Sequence, residues 1–235
     1  MRLDLRDDVQ RAIYFELFER EELEYLRVRV RPGDVCLDVG ANIGFYTCQL
    51  ARWVGTAGQV HAFEPEPRNV ARLTANLELN DLAEQVTVHA AALSDQKGSA
   101  AFNRAAENHS GWGSLERYED FHSDHIEVDT RTVDDVLDSH GLDEVALLKV
   151  DVEGTDFAVY RGAAKALGRS AFRFVMAEWN GVWFPEQGRS FRDFTNHFGE
   201  FGYRPIESQR TLADAYQRGE LDPTDRIVNV LYERS

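Results

Sequence analysis

LDVGANIGFYT, residues 37–47, is the stretch on which the fold turns. An apolar run, DVCLDV over 34–39, ends in a carboxylate and passes directly into a turn carrying Gly40 and Gly44. A helical pattern follows from Ile43 to about Val54. Strand, glycine turn and helix in that order open a parallel α/β sheet, in which the turn lies beyond the carboxyl end of the strand and faces a ligand.

Working outward, the same rhythm repeats. QVHAFE (59–64) reads as a second strand, and Pro67 to Asn80 as a helix with proline in its first turn, where a missing N–H costs nothing. QVTVHAAAL (85–93) is a third strand, VALLKVD (145–151) a fourth, the stretch from about Asp156 to Leu167 a helix, and FRFVMAE (172–178) a fifth strand. Alternating strands and helices predict a mostly parallel sheet covered on both faces. The tail adds a helix near Ser190 to Phe201, and YRPIES and RIVNVLYE alternate as an antiparallel hairpin closing the sheet. Residues 1–30, with Ile13, Phe15, Leu17, Phe18, Leu23 and Leu26 among acids at helical spacing, predict an amphipathic helical cap. Residues 31–235 then form one domain, broken at 97–131 by a short strand GSAAFN, a long loop and a strand IEVDTRTV, with the helix VDDVLDSH after it. A loop of that length inside a domain usually carries function, here a lid and acceptor pocket. In it Gly111 and Gly113 flank Trp112, and His109, His122 and His125 are titratable, His109 being a candidate catalytic group.

The 235 residues bury one sizeable core, and the net charge of −15 repels phosphate backbones and anionic lipid surfaces. Nucleic acid and membranes are therefore not the expected partners, and a small neutral or cationic ligand is. Two cysteines, Cys36 and Cys48, suit packing and give neither a disulfide framework nor a zinc site. With no signal-peptide core at the N-terminus, a reducing cytoplasm is the simplest home.

What the turn holds follows from its chemistry. A dinucleotide site wants G-x-G-x-x-G, so that the backbone can approach a pyrophosphate. Here the middle glycine is Asn42 and the last position is Phe45, which weakens a nicotinamide-dependent oxidoreductase on a doubly wound sheet, the competing reading. Asp38 at the strand end complements a cation, and S-adenosylmethionine carries an ammonium and a sulfonium but no phosphate. Glu64, at the tip of the neighbouring strand, is able to accept both ribose hydroxyls, each such charged hydrogen bond being worth about 1.5–3 kcal/mol.

DVGANIGFYT, HAFEPEPRNVARLTANLELN, VTVHAAALSD, LLKVDVEGTDFAVYRGA and FVMAEWN, in this order, resemble the FkbM-type methyltransferases, a branch of the class I S-adenosylmethionine-dependent enzymes. KVDVEG (149–154) is the most specific part, and the C-terminal third resembles the family weakly. The resemblance implies a seven-stranded sheet with a reversed last strand, and O-methylation of sugars, polyketides or other secondary metabolites. It also implies that Asp38, Gly40, Asn42 and Gly44 hold the methionine part of the cofactor, with Tyr46 or Thr47 nearby, and that Glu64 takes the ribose. Ala91 and Ala92 would border the adenine, and Ser94 or Asp95 its amino group.

A hydroxyl is a poor nucleophile until it loses its proton, which calls for a general base or a metal ion. Asp151 ends strand four beside the expected methyl position, and Glu178 and Asn180 end strand five. These three oxygen donors resemble the magnesium site of catechol O-methyltransferase, apart from the inserted Trp179, and hard oxygen ligands suit Mg2+. Without metal, Asp151 is the expected base. Glu153 caps the next helix or faces the substrate, and Lys149 is expected to pair with one of these acids. Trp179, Trp183 and Phe184 wall the acceptor site or fill core. A non-catalytic cofactor-binding protein is a third reading, and the oligomeric state is left open, a homodimer included.

Overall fold

The computed structural model describes residues 1–105, 112–116, 122–209, 215 and 227–235, with 122 and 123 described by backbone alone. Strands in chain order are β1 (Val35–Val39), β2 (Gln59–Phe63), β3 (Val86–His89), β4 (Ala92–Leu93), β5 (Gly98–Ala105), β6 (His122–Arg131), β7 (Val145–Val150), β8 (Phe172–Asn180), β9 (Tyr203–Pro205) and β10 (Ile227–Arg234). Helices are α1 (Asp8–Tyr14), α2 (Arg20–Arg27), α3 (Phe45–Val54), α4 (Pro67–Leu79), α5 (Val133–His140), α6 (Asp156–Arg161), α7 (Ala164–Gly168), α8 (Trp183–Glu186) and α9 (Phe191–Glu200). Among the described residues, seven strands form one sheet in the order β3-β2-β1-β7-β8-β10-β9. Its strands pair in parallel from β3 through β8, and β10 runs antiparallel to both β8 and β9. This is the class I methyltransferase architecture, with the reversed last strand.

The central strands are apolar throughout because both faces are covered. Residues 145–150 of β7 are all buried. One face packs Phe63, Leu148, Tyr160, Phe184 and Phe194 into a core, and the other packs Cys36, Leu50, Val60 and Leu147 with Leu26 from the N-terminal cap. Trp179 and Phe184 are fully buried in the first of these, ring centroids 5.2 Å apart, so they fill core and do not wall the acceptor space. Both cysteines are free and buried.

Three elements differ from the sequence reading. The third strand stops at His89, and Ala92–Leu93 leaves the main sheet to pair with β6, making a separate three-stranded sheet in the order β4-β6-β5. The expected helix over 156–167 is two short helices that part at Gly162 and Ala163, and there the chain passes so close to Ser94 that a Cβ on Gly162 would lie 2.1 Å from its carbonyl oxygen. The cap is two helices, divided at Glu16 and Glu19, which both hold positive φ. Among the described residues no helix is long and apolar enough to cross a membrane.

Candidate active site

The carboxyl ends of β1, β2, β7 and β8 border a cavity of about 540 Å³, within the range of small-molecule sites. Gly40, Asn42, Glu64, Ala92, Asp151, Glu153 and Glu178 line it. The amides of Gly40 and Ala41 both donate to the Phe63 carbonyl at 3.0 Å, which fastens the turn to the end of β2. Asn42, held at φ +49, donates its amide to Glu64 Oε2 at 2.8 Å, and its side-chain oxygen is buried without a protein partner. Glu64 Oε1 accepts from the Glu66 amide at 3.0 Å and from Asn69 Nδ2 at 3.3 Å. Burial still pushes the Glu64 carboxyl up to about 7, against the pull of those donors. A carboxylate therefore occupies the mouth of the turn, where a dinucleotide site would present free amides to a pyrophosphate.

Gly40 is required by two independent facts. Its φ is +78, and a Cβ there would lie 1.8 Å from the Asp151 backbone oxygen. The left-handed conformation alone costs a non-glycine residue about 1–2 kcal/mol. Gly40→Ala is accordingly expected to lose at least about 2 kcal/mol of stability, measured by urea denaturation, because the β1 and β7 tips must also separate. Gly44, at φ +89, serves packing, since a Cβ would lie 2.3 Å from Leu73 Cδ1 on α4.

Asp38 corrects the sequence reading. It is fully buried beneath the turn and does not border the cavity. β1 and β7 pair with Asp38 opposite Lys149, so that the Lys149 ammonium lies 3.4 Å from Asp38 and 3.3 Å from Asp151, and donates to the Gly40 carbonyl at 3.2 Å. Thr47, expected near the cofactor, donates its hydroxyl to Asp38 Oδ2 at 2.6 Å. Burial works to lower the Lys149 ammonium, and the carboxylates of Asp151, Asp38 and Glu19 outweigh it, holding it above its ordinary value. Tyr46 is likewise not at the cavity surface; its ring lies under Lys149, 5.1 Å from Nζ, and its hydroxyl donates to Glu19. Ala91 and Ser94 fall outside the cavity wall, whereas Ala92 is part of it.

The turn after β7 gathers acids. Glu153 takes φ +53 and lines the cavity, while Asp156, the first residue of α6, turns its carboxylate back to accept from the turn amides of Val152 (3.4 Å) and Gly154 (3.2 Å). Ser114 of the insertion donates to the Glu153 carbonyl at 2.7 Å, and Gln187 donates to that of Gly154 at 2.8 Å, so three parts of the chain fix this turn. Burial, followed by the charge of Asp151, pushes Asp156 up to about 7 and Glu153 and Glu178 well above the ordinary carboxylate range. Glu178 Oε1 has no protein partner.

The expected magnesium set does not come together as three free donors. Asn180 is buried outside the cavity wall, and its Oδ1 accepts from the amides of Val182 (3.1 Å) and Trp183 (3.2 Å), fixing the turn into α8. That leaves Asp151, bound to Lys149, and Glu178, which burial drives toward its neutral form. His109 lies outside the described residues, and His125 is exposed on β6.

Several contributors were not legible in the sequence. From the N-terminal cap, Arg6, Phe18 and Glu19 reach the cavity, and burial, then the charge of Asp151, pushes Glu19 up to about 7. Glu19 sits in a run of acids, where nothing marks one from another. From the insertion, Phe102 and Leu115 line the cavity beside Trp112, the one of the three that the sequence had singled out, and Arg104 pairs with Glu66 at 2.6 Å, tying β5 to the start of α4.

A family model described as the methyltransferase FkbM domain matches residues 38–205, which take in the glycine turn, both acidic strand tips and the turn after β7. The chain belongs to the FkbM methyltransferase family. It is 31% identical over 183 residues to the 31-O-demethyl-FK506 methyltransferase FkbM of Streptomyces tacrolimicus, the match covering 66% of this chain and 68% of that protein. It is 28% identical over 165 residues to the 2-O-methyltransferase NoeI of Sinorhizobium fredii, covering 64% of this chain and 65% of NoeI. The chain thus spans about two thirds of the length of these relatives. Among solved structures, a methyltransferase FkbM from Methylobacillus flagellatus superposes with a TM-score of 0.51 at 19% identity, over 99% of this chain and 56% of that one, a likeness of fold.

Proposed function

We propose that the protein is an S-adenosylmethionine-dependent O-methyltransferase acting on a small hydroxylated metabolite. The observation that carries this reading is the cavity wall itself: Glu64, Asp151, Glu153 and Glu178 with Glu19 line one space beyond the strand ends, beside Arg6, Arg68 and Arg72, and at the glycine turn the Asn42 amide is given to Glu64 and not left for a phosphate. A cationic nucleoside suits the carboxylates of Asp151 and of Glu64 in its ionised form, and a diphosphate lodged at the Glu64 carboxylate would be repelled. Family membership and the O-methylating relatives support the same class of reaction.

In this reading Glu64 accepts from the ribose, the unpartnered Asn42 Oδ1 accepts from the cofactor's ammonium, and Ala92 borders the adenine. The cofactor supplies a methyl group on a sulfonium, ready for in-line displacement by oxygen. Asp151, at the end of β7 and inside the cavity, takes the hydroxyl proton, with Lys149 fixing its carboxylate from below. Glu178 in its neutral form donates to an acceptor oxygen and orients it. Holding the partners in line contributes on the order of 7–11 kcal/mol to such a step. The insertion at 97–131 and the cap at 1–30 cover the acceptor, through Phe102, Trp112, Leu115 and Phe18. A magnesium-dependent variant of this reaction is less well supported, because the Asn180 oxygen already holds two backbone amides.

Calorimetric titration with S-adenosylmethionine tests this reading directly: one equivalent should bind, and NADH should not. Because the ionised Glu64 is the better hydroxyl acceptor and its carboxyl is pushed up to about 7, affinity should rise with pH. Between pH 6 and pH 8 the gain should approach about tenfold, the change in ionised fraction for a group titrating at that pH. Glu64→Gln should flatten most of it. Absence of any heat with S-adenosylmethionine at either pH would remove the proposal.

A further inference from the structure

Away from the cavity, three histidines from separate elements meet: His61 on β2, His89 on the edge strand β3 and His140 at the C-terminal end of α5. One ring nitrogen of each lies within 4.8 Å of the other two, and among the described residues this is the group of His, Cys, Asp or Glu side chains so placed. The strand-tip acids of the cavity form no such group among those residues. We infer that His61, His89 and His140 form a binding site for a borderline divalent cation of the Zn2+ type.

The ring geometry is that of a partly assembled site. His61 Nδ1 and His89 Nε2 are 3.2 Å apart and share a hydrogen bond, whose proton moves to the far nitrogen of its ring when an ion takes both lone pairs. Two ligands of a tetrahedral zinc, each at about 2.0–2.1 Å, subtend a chord of about 3.3–3.4 Å, so this pair needs almost no movement. His61 is 1% exposed, and with Nδ1 on the ion the proton sits on Nε2, which is buried with no protein partner, a cost that the metal bonds must offset. His140 Nδ1 lies 3.0 Å from the Val136 carbonyl, an acceptor only, so Nδ1 carries the proton and Nε2 carries the lone pair. A metal-bound histidine uses this same arrangement, in which a backbone carbonyl fixes the tautomer and aims the other nitrogen. His140 is the exposed member, at a helix end, and supplies the movement that closes the third distance.

Ligand type selects the ion. Three neutral imidazoles with no carboxylate suit zinc, cobalt, nickel or copper and discriminate against magnesium and calcium, which require oxygen. Water completes the fourth position. The metal would staple β3, a four-residue strand at the sheet edge, to α5, which is otherwise joined to the sheet by packing. It would also fix the His89 ring, which stacks on Phe63 at 4.4 Å and 6°, and Phe63 lines the cavity.

The experiment uses full-length, tag-free protein, stripped with a chelator and desalted, then titrated with ZnCl2 by calorimetry and thermal melting. One equivalent of Zn2+ should bind and raise the melting midpoint, Mg2+ should not, and Co2+ should give the intense visible absorption of a tetrahedral site. His140→Ala, at an exposed position that leaves the core intact, and His89→Gln should each weaken Zn2+ binding by at least about tenfold and abolish the cobalt absorption. No zinc-dependent rise in midpoint, or zinc binding unchanged in both variants, would overturn the assignment. The result is independent of whether S-adenosylmethionine binds, because none of the three histidines lines the cavity.

Discussion

Lys149→Met is expected to destabilise the protein by about 3–5 kcal/mol, the usual consequence of leaving one partner of a buried ion pair alone. Lys149 is 2% exposed and Asp38 0%. Once the ammonium is gone, Asp38 keeps the Thr47 hydroxyl and loses its counter-charge, at a depth that water does not reach. Asp151, with 24% of its side chain exposed, is less affected, because solvent replaces part of what it loses. Urea denaturation of four proteins checks the claim: wild type, Lys149→Met, Asp38→Asn and the double variant. The double variant should recover a substantial part of the loss, since an amide in a dry pocket costs far less than a carboxylate. If the single Lys149 variant loses less than about 1 kcal/mol, the pair is not the keystone of the strand tips that its burial indicates.

Asp151→Asn should leave the fold and cofactor binding nearly intact and lower turnover by about 100- to 10,000-fold, the span typical of a lost general base. The substitution keeps the shape and the bond to Lys149 is replaced by a weaker one, so stability by urea denaturation serves as the control. Turnover is followed as methyl transfer to whichever hydroxylated compound the wild type accepts, and binding by calorimetry. Turnover within about threefold of wild type would move the base elsewhere, and Glu19 is the next acid bordering the cavity whose carboxyl is pushed up to about 7.

Much of the architecture was legible because its signals are local. Strand one, the glycine turn, the proline-initiated α4 and the helix Val133–His140 follow from periodicity, caps and breakers, each acting within a few residues. In the structure Thr132 caps α5 by accepting from the Asp135 amide, and Gly141 ends it in a left-handed conformation. The break of the third strand at His89 was not legible, because VTVHAAAL holds no glycine or proline to mark it and only pairing with β6 decides where it changes sheet. The need for glycine at 162 depends on Ser94, 68 positions away, whose carbonyl fits only against a residue without a side chain.

For the site, the sequence by itself determined which chemical groups stand at the strand tips: a glycine turn without a pyrophosphate fingerprint, Glu64 after β2, Asp151 after β7 and Glu178 in β8. Only the tertiary structure decided what each of them faces. Parallel pairing sets Lys149 beside Asp38, which withdraws that acid from the ligand, and the α8 turn claims the oxygen of Asn180. Folding also carries Glu19 from the N-terminal cap to the cavity and brings His61, His89 and His140 together from β2, β3 and α5. The physical reason is range: conformational preference acts over a turn of helix or a few residues of strand, whereas charge pairing, burial and metal-ligand geometry depend on distances that exist only after the chain has packed.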